Sequence, residues 1–215
     1  MSGSKVFLLD DDPSIIRAMT RYLESLGFEV LAFQSAQEFL FRHDMQIPGC
    51  AVLDVCLGDS NGLEVYRALS RAGKMRPTIF ITGVADVITS VRAMKAGAVD
   101  FLMKPVHEAE LGAAIHRAIA RDLQEREERA KQEQLSRRIA SLTPRERQVL
   151  AYVVAGETNP RIAALMEISE KTVKIHRGQV MKKMKAPSLA HLVRLVEPRR
   201  QSESIVEALH GKRVQ

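Results

Sequence analysis

The chain has no tryptophan and only two cysteines in 215 residues. Cys50 and Cys56 have no metal-ligand partners nearby, so the sequence offers no disulfide framework and suits a reducing compartment. No apolar run approaches the ~20 residues that cross a bilayer, and no membrane contact is expected. The opening Met-Ser-Gly-Ser-Lys lacks the apolar stretch of a signal peptide, which points to a cytoplasmic protein. No Gly-x-Gly-x-x-Gly follows a strand and no Walker A loop occurs, which counts against a nucleotide binder. From Ala113 to Thr143 there is neither glycine nor proline, so no breaker interrupts a helix there.

What is present divides unevenly along the chain. Hydrophobic residues make up 46%, ample for a core, and the length allows one large or two small domains. Residues 1–120 carry 12 Lys/Arg against 14 Asp/Glu, residues 121–141 carry 6 against 5, and residues 142–215 carry 14 against 7. The net charge of +6 therefore comes almost wholly from the last third, the part suited to meet a polyanion. Basic helices that are merely well solvated fit the same numbers, and charge alone does not separate the two.

Strand and helix patterns alternate over the first 120 residues. Lys5 to Leu9 reads as a buried strand, and Asp12-Pro13 supplies an N-cap and a first-turn proline for the helix after it. Phe28 to Phe33 is a second strand, and Ser35-Ala-Gln-Glu38 is a capping box opening a short helix. Ala51-Val-Leu leads into Asp54 as a third strand, followed by a helix from about Leu63 to Ala72. Pro77 to Thr82 and Val99 to Met103 are the fourth and fifth strands. Asp86 caps a helix between them that ends at Gly97, and a last helix begins near Glu108. Five βα units with short connections predict a parallel sheet with helices on both faces.

In such a sheet, chemistry gathers beyond the carboxyl ends of the strands. Taken alone, Asp54 reads equally well as a reactive carboxylate or as a strand-end cap for the next helix. The other strand ends carry Asp10-Asp11-Asp12, Thr82-Gly83 and Lys104-Pro105. Carboxylates converging on one edge repel, so they raise a pKa or hold a cation. An all-oxygen cluster with room for water suits Mg²⁺. With Mg²⁺ on phosphate oxygens, a carboxylate can attack phosphorus and form an aspartyl phosphate. Thr82 offers a hydroxyl to the transferred group, Lys104 a fixed cation, and Gly83 the space.

With these residues in place, residues 5 to about 120 resemble a response-regulator receiver domain, the phospho-acceptor half of two-component signalling. The resemblance implies a flavodoxin-like (βα)5 fold with Asp54 phosphorylated by a sensor histidine kinase. It assigns Asp10, Asp11, Asp54 and the backbone carbonyl of Cys56 to Mg²⁺. Thr82 and Phe101 fall at the switch positions and Lys104 at the position of the active-site lysine. Gly58 stands where the family usually has proline, and Val106 where it often has phenylalanine. Gly58 lifts proline's restriction on φ and leaves the loop more mobile, which bears on the phosphoryl lifetime.

The stretch 121–141 has only a sparse apolar stripe, Leu123, Ala130, Leu135 and Ile139, and reads as a solvated helix continuing from Glu108 to about Ala140. Four acid-to-base i, i+4 pairs support it: Asp122–Arg126, Glu125–Arg129, Glu127–Lys131 and Glu133–Arg137. After it, Thr143-Pro-Arg-Glu146 is a second capping box. A short helix carrying Ile162, Ala163, Leu165 and Met166 follows, then a turn at Glu167-Ile168 and a basic helix that Ser169 caps. Pro187-Ser188 opens a fourth helix, Leu189 to Val196. Helix, turn and basic helix make a helix-turn-helix unit.

The run Leu142-Thr-Pro-Arg-Glu-Arg, Gly156, Asn159, Ile162-Ala, Ile168-Ser and Thr172-Val-Lys-Ile-His176 resembles the LuxR-type DNA-binding domain. End to end the chain resembles the NarL/FixJ class of response regulators, FixJ- and StyR-like members above all. The expected organisation is a receiver over 1–120, a helical linker over 121–141, an all-α helix-turn-helix domain over 142–199 and a polar tail over 200–215. By the resemblance, Lys174 and Ile175 face the major groove, and Thr172, Arg177, Lys182 and Lys183 meet phosphates or groove edges. His176 packs at the helix–helix contact. Gly178 departs from the family, which more often has a longer side chain there; a mid-helix glycine costs ~1 kcal/mol against Ala. The implied activity is a Mg²⁺-dependent phosphoryl acceptor that dimerises on modification and binds promoter DNA, with RNA polymerase as a further partner. Its own chemistry is limited to self-phosphorylation and slow self-dephosphorylation. The competing reading is an aspartate-nucleophile phosphatase-like enzyme with an accessory basic domain. Against it, Asp54 is followed by Val55-Cys56 rather than by the second aspartate of an Asp-x-Asp motif.

Overall fold

A computed structural model describes residues 4–58, 60–73, 75–83, 91 and 93–200, the side chains of 197–200 excepted. The Asp86 helix cap and all but the first residue of the tail expected over 200–215 lie outside the described residues. The chain divides into two compact units, Met1–Glu127 and Glu128–Gln215.

In the first unit, strands β1 (Lys5–Leu9), β2 (Glu29–Phe33), β3 (Gly49–Asp54), β6 (Thr78–Thr82) and β7 (Asp100–Met103) form one sheet in the order β2-β1-β3-β6-β7. All four pairings are parallel, which is the flavodoxin-like order expected from the βα alternation. Side chains alternate across the sheet. Val6, Leu8, Val52, Ile79 and Ile81 share one core with Ile16 and Leu23 of α1 (Pro13–Ser25) and with Leu111, Ile115 and Ile119 of α4 (Glu108–Ala140). Phe7, Leu9, Ala51, Leu53 and Phe80 face the other way. They pack with Phe39 of α2 (Ala36–Arg42) and Val65, Tyr66 and Leu69 of α3 (Gly62–Arg71). Between β3 and α3 lies a two-stranded antiparallel ribbon, β4 (Cys56–Leu57) with β5 (Ser60–Asn61).

The helix starts follow local chemistry. Asp12 accepts a hydrogen bond from the Ser14 N–H at 2.7 Å, and this contact, first among its causes, lowers the Asp12 pKa. Ser35 accepts from the Glu38 N–H at 3.2 Å, while the Glu38 carboxylate accepts from Arg42 at 2.8 Å rather than completing a reciprocal box. Thr143 and Glu146 form the full capping box.

The amino-terminal edge of the sheet is closed by a buried polar network. The Asp122 carboxylate of α4, 4% exposed, accepts from the Gly49 N–H at 2.8 Å and from Arg126 Nε at 2.7 Å. Arg126 Nη2 donates to the Met45 and Ile47 carbonyls at 2.8 and 3.0 Å. Arg76 lies beneath, its guanidinium 3.6 Å from the Phe7 ring centroid, donating to His43 Nε2 at 2.8 Å and to the Asp44 carbonyl at 2.7 Å. Burial brings the Arg76 pKa down to about 10, with the Asp122 charge opposing the fall. Burial also pushes the Cys50 thiol up to about 12, which leaves it inert as a nucleophile.

The second unit is all helical: the last turns of α4, then α5 (Pro144–Val154), α6 (Asn159–Met166), α7 (Glu170–Met184) and α8 (Leu189–Arg200). Leu142, Val149, Val153, Ile162, Val173, Val180, Met184 and Leu192 make its core, with Leu135 and Ile139 packed against them. The sequence reading treats 121–141 as one solvated stretch. In the structure Asp122 and Arg126 are anchored in the first unit and Leu135 and Ile139 join the core of the second. Two of the expected helix pairs, Asp122–Arg126 and Glu133–Arg137, meet at 2.7 and 3.7 Å. Glu125 also pairs with Arg121 at 2.8 Å, and Lys131 also with Glu128 at 3.2 Å. The last helix runs four residues past the expected end, through Pro198, whose missing N–H removes only one hydrogen bond in a final turn.

Candidate functional site

Strand register assembles the first site. Leu9 pairs with Leu53, Asp54 with Ile81 and Thr82 with Met103, so the residues at the carboxyl ends of the strands emerge on one edge. There the ligand atoms of Asp10, Asp11 and Asp54 lie within 4.8 Å of one another. Asp10, Asp54 and Thr82 are buried and Asp11 is exposed. Lys104 reaches across from the end of β7, donating to Asp10 Oδ2 at 2.9 Å and Asp54 Oδ2 at 2.6 Å. Its own N–H is held by the Thr82 carbonyl at 2.7 Å, and its peptide bond to Pro105 is cis. Burial alone would lower the Lys104 pKa, but the hydrogen bonds it donates to the Asp54 and Asp10 carboxylates outweigh that and hold the ammonium above its ordinary value.

The second oxygens are partly committed: Asp54 Oδ1 accepts from the Cys56 N–H at 3.1 Å and Asp10 Oδ1 from the Asp12 N–H at 2.9 Å. Cys56 is exposed. Phe101 is half-buried beside Phe80, their ring centroids 6.5 Å apart. Two glycines are needed here. A Cβ on Gly62 would lie 2.1 Å from the Asp54 carbonyl oxygen, so only glycine lets α3 begin against the acceptor's backbone. Gly58 has φ +53°, which proline's ring forbids. A Cβ there would stand 3.3 Å from Asp11 Oδ2. Glycine in place of proline therefore sets a different loop path, beyond adding freedom to the same one.

Chemically this edge pairs a carboxylate nucleophile with a fixed ammonium and a buried hydroxyl. Three carboxylates so close are an all-oxygen donor set of the kind Mg²⁺ takes.

The second site is the outer surface of α7. Its N-terminus is capped by Ser169, which accepts from the Thr172 N–H at 3.1 Å. Val173, Val180 and Met184 point inward, leaving Lys171, Lys174, Ile175, Gly178, Gln179 and Lys182 exposed along one stripe, beyond the exposed Glu170 at the helix start. At 3.6 residues per turn these six fall within an arc of about 140°. Lys174, Ile175 and Lys182 of the expected contacts lie on this stripe. Thr172, half-buried, shares a 2.8 Å contact between hydroxyls with Ser169. Arg177 donates to Asn159 Oδ1 at 2.5 Å, which ties α7 to α6. Lys183 points elsewhere: its ammonium donates to Glu146 Oε2 at 2.6 Å and to the Ser141 carbonyl at 3.2 Å. That contact, followed by the Thr143 N–H, lowers the pKa of the buried Glu146 carboxyl. Lys171 and Gln179 were not singled out from sequence, although their helical spacing from Lys174 and Lys182 carries that signal.

Two family models match the chain: the response regulator receiver domain over residues 6–116 and the luxR family of bacterial regulatory proteins over residues 140–196. The chain belongs to the response regulators that join these two domains, the NarL/FixJ class. It is 44% identical to nodulation protein W of Bradyrhizobium diazoefficiens, covering 89% of this chain and 85% of that protein. It is 40% identical to the response regulator protein TodT of Pseudomonas putida, covering 91% and 86%. The solved structure of the response regulator StyR matches with a TM-score of 0.85 at 40% identity, over 92% of this chain and all of that one. Full-length FixJ from B. japonicum matches with a TM-score of 0.57 at 37% identity, over 94% and 98%. Among the described residues no helix is long and apolar enough to cross a membrane.

Proposed function

We propose that the chain is a phosphorylation-controlled transcription regulator. Asp54 accepts a phosphoryl group from a sensor histidine kinase, and the modified protein dimerises and binds promoter DNA through α7. The observation that carries this reading is the meeting of Asp10, Asp11 and Asp54 within 4.8 Å with Lys104 bonded across two of them. In the transfer, a carboxylate oxygen of Asp54 forms a bond to phosphorus as the donor's bond to phosphorus breaks and the donor leaves with that electron pair. Lys104 stands beside the nucleophile, fixed by its two carboxylate contacts and by the Thr82 carbonyl, and offsets charge on the transferred oxygens. The Thr82 hydroxyl donates to the same group. Mg²⁺, held by Asp10, Asp11, Asp54 and the Cys56 carbonyl, supplies further neutralisation of phosphoryl charge when bound.

The aspartyl phosphate adds ~1.5–2 negative charges at an edge where Lys104 already bridges two carboxylates. Lys104 and Thr82 turn toward it, and Phe101 follows as the aromatic partner of the switch. Exposed apolar side chains of the receiver, Met103 on the edge strand β7 together with Val91 and Met94, support dimerisation through that unit. On DNA, Lys174 and Ile175 read base edges and Lys182 meets phosphate, as a recognition helix in the major groove requires. Arg177 and Lys183 act instead as struts that hold α7 in place.

Acetyl phosphate with Mg²⁺ tests the first half: intact-mass measurement should show one acid-labile phosphoryl group that Asp54→Asn abolishes. Undiminished labelling of that variant rejects the assignment. A gel shift with and without acetyl phosphate tests the second half, and equal affinity in both states rejects phosphorylation control.

A further inference from the structure

Gly178 sits near the middle of the exposed stripe of α7, one turn after Lys174 and one turn before Lys182. Among the described residues nothing calls for glycine there. It lies inside a regular helix, and a Cβ added to it would meet no atom within 4 Å. Glycine weakens a helix interior relative to alanine, so the fold by itself favours a side chain at this position. What the missing Cβ leaves is space on the surface that would face a base pair. Ile175, three residues earlier and 56% exposed, walls that space with the only apolar side chain among the six stripe residues. An aliphatic wall beside a bare stretch of helix backbone presents an apolar recess, rimmed by Lys174 and Lys182. On the major-groove edge of DNA the apolar group is the 5-methyl of thymine.

We propose that the gap at Gly178, walled by Ile175, is a specificity recess for a thymine methyl group. This rests on the reading of α7 as the DNA-contacting helix. It adds the base identity and assigns a purpose to a residue that otherwise only costs the helix stability.

The test uses the full-length protein, with and without acetyl phosphate, in a selection from randomised duplexes. The selected duplex is then scanned by replacing each thymine with deoxyuridine, which deletes the methyl and keeps every hydrogen-bonding group. For the wild-type chain one thymine in each half-site should stand out, its replacement weakening binding roughly fourfold to tenfold, about the worth of burying one methyl and its contacts. Gly178→Ala should lose a similar factor on the thymine duplex, become indifferent to deoxyuridine at that position, and melt at a higher temperature than the wild type. A variant that simply misfolded would melt lower, so stability and binding moving in opposite directions identify the recess. Ile175→Ala should also lose the thymine preference. If Gly178→Ala gains stability and binds the thymine duplex as tightly as the wild type, the recess is refuted while the DNA-binding reading stands. If the wild-type chain enriches no duplex in either state, the DNA-binding reading falls and the recess with it.

Discussion

Asp122 offers a demanding test of the energetics, because a single carboxylate closes the amino-terminal edge of the receiver sheet. It is buried and accepts from the Gly49 N–H and from Arg126 Nε. Asp122→Ala removes both bonds at once. The Gly49 N–H is left buried without its acceptor, which costs ~1–3 kcal/mol. Arg126 loses its counter-ion while still held against the Met45 and Ile47 carbonyls. Arg76 loses the charge that opposes its desolvation. Removing one partner of a buried pair typically costs ~3–5 kcal/mol, and that range covers all three losses, since they share one group. Against a total of ~5–15 kcal/mol for a domain, this is a large fraction. With a urea slope of ~1.5 kcal/mol/M the midpoint should fall by roughly 2–3 M. Asp122→Asn keeps an acceptor for Gly49 and should lose about half as much. Hydrogen exchange along a urea gradient, read by peptide mass spectrometry, resolves the two units without needing a fluorophore. Peptides from β1 and β3 should report the shift, and peptides from α5 and α7 should not. A shift below ~0.3 M for Asp122→Ala would show that the network is only a solvated surface cluster.

Three further outcomes are expected. Glu146 has a folded pKa below its ordinary 4.5, so the stability it contributes is present above that value and is lost as pH falls through and below it. Acid unfolding of residues 142–196, followed by circular dichroism, should flatten below pH ~4.5 in Glu146→Gln. At neutral pH that variant should be less stable by ~1–2 kcal/mol, because the Lys183 ion pair is gone while the cap remains. Asp11→Ala should weaken Mg²⁺ binding in a metal titration by removing the exposed carboxylate of the cluster, and an unchanged titration would exclude Asp11 as a ligand. Lys174→Ala should lose sequence discrimination of ~1–3 kcal/mol, whereas Lys182→Ala should weaken all duplexes alike and reduce the salt slope by about one unit. Indistinguishable behaviour of the two in fluorescence anisotropy across salt would overturn the groove assignment.

Much of this molecule is written in short-range pattern. The βα alternation, the Asp12 and Ser169 caps and the Thr143–Glu146 box depend on residues within a few positions of one another, so local chemistry determines them before any tertiary contact forms. The active edge was legible for a related reason. In an all-parallel sheet every strand ends on the same side, so reading the residues at each strand's carboxyl end already lists Asp10, Asp54, Thr82 and Lys104. Tertiary structure alone decided the rest. Lys174, Lys182 and Lys183 look alike in sequence, and only the packing of α7 on α5 brings Lys183 to Glu146, 37 positions away. Asp122 looked like one charge in a solvated helix until the fold set it beneath Gly49, 73 positions back. Gly58 read as a flexible substitute for proline, yet its φ of +53° and its nearness to Asp11 show a loop that proline could not follow. The division has one physical cause. Backbone propensity and capping act over a turn or two of chain, whereas the partner of a buried charge is chosen by whichever distant group the folded core brings within hydrogen-bonding reach.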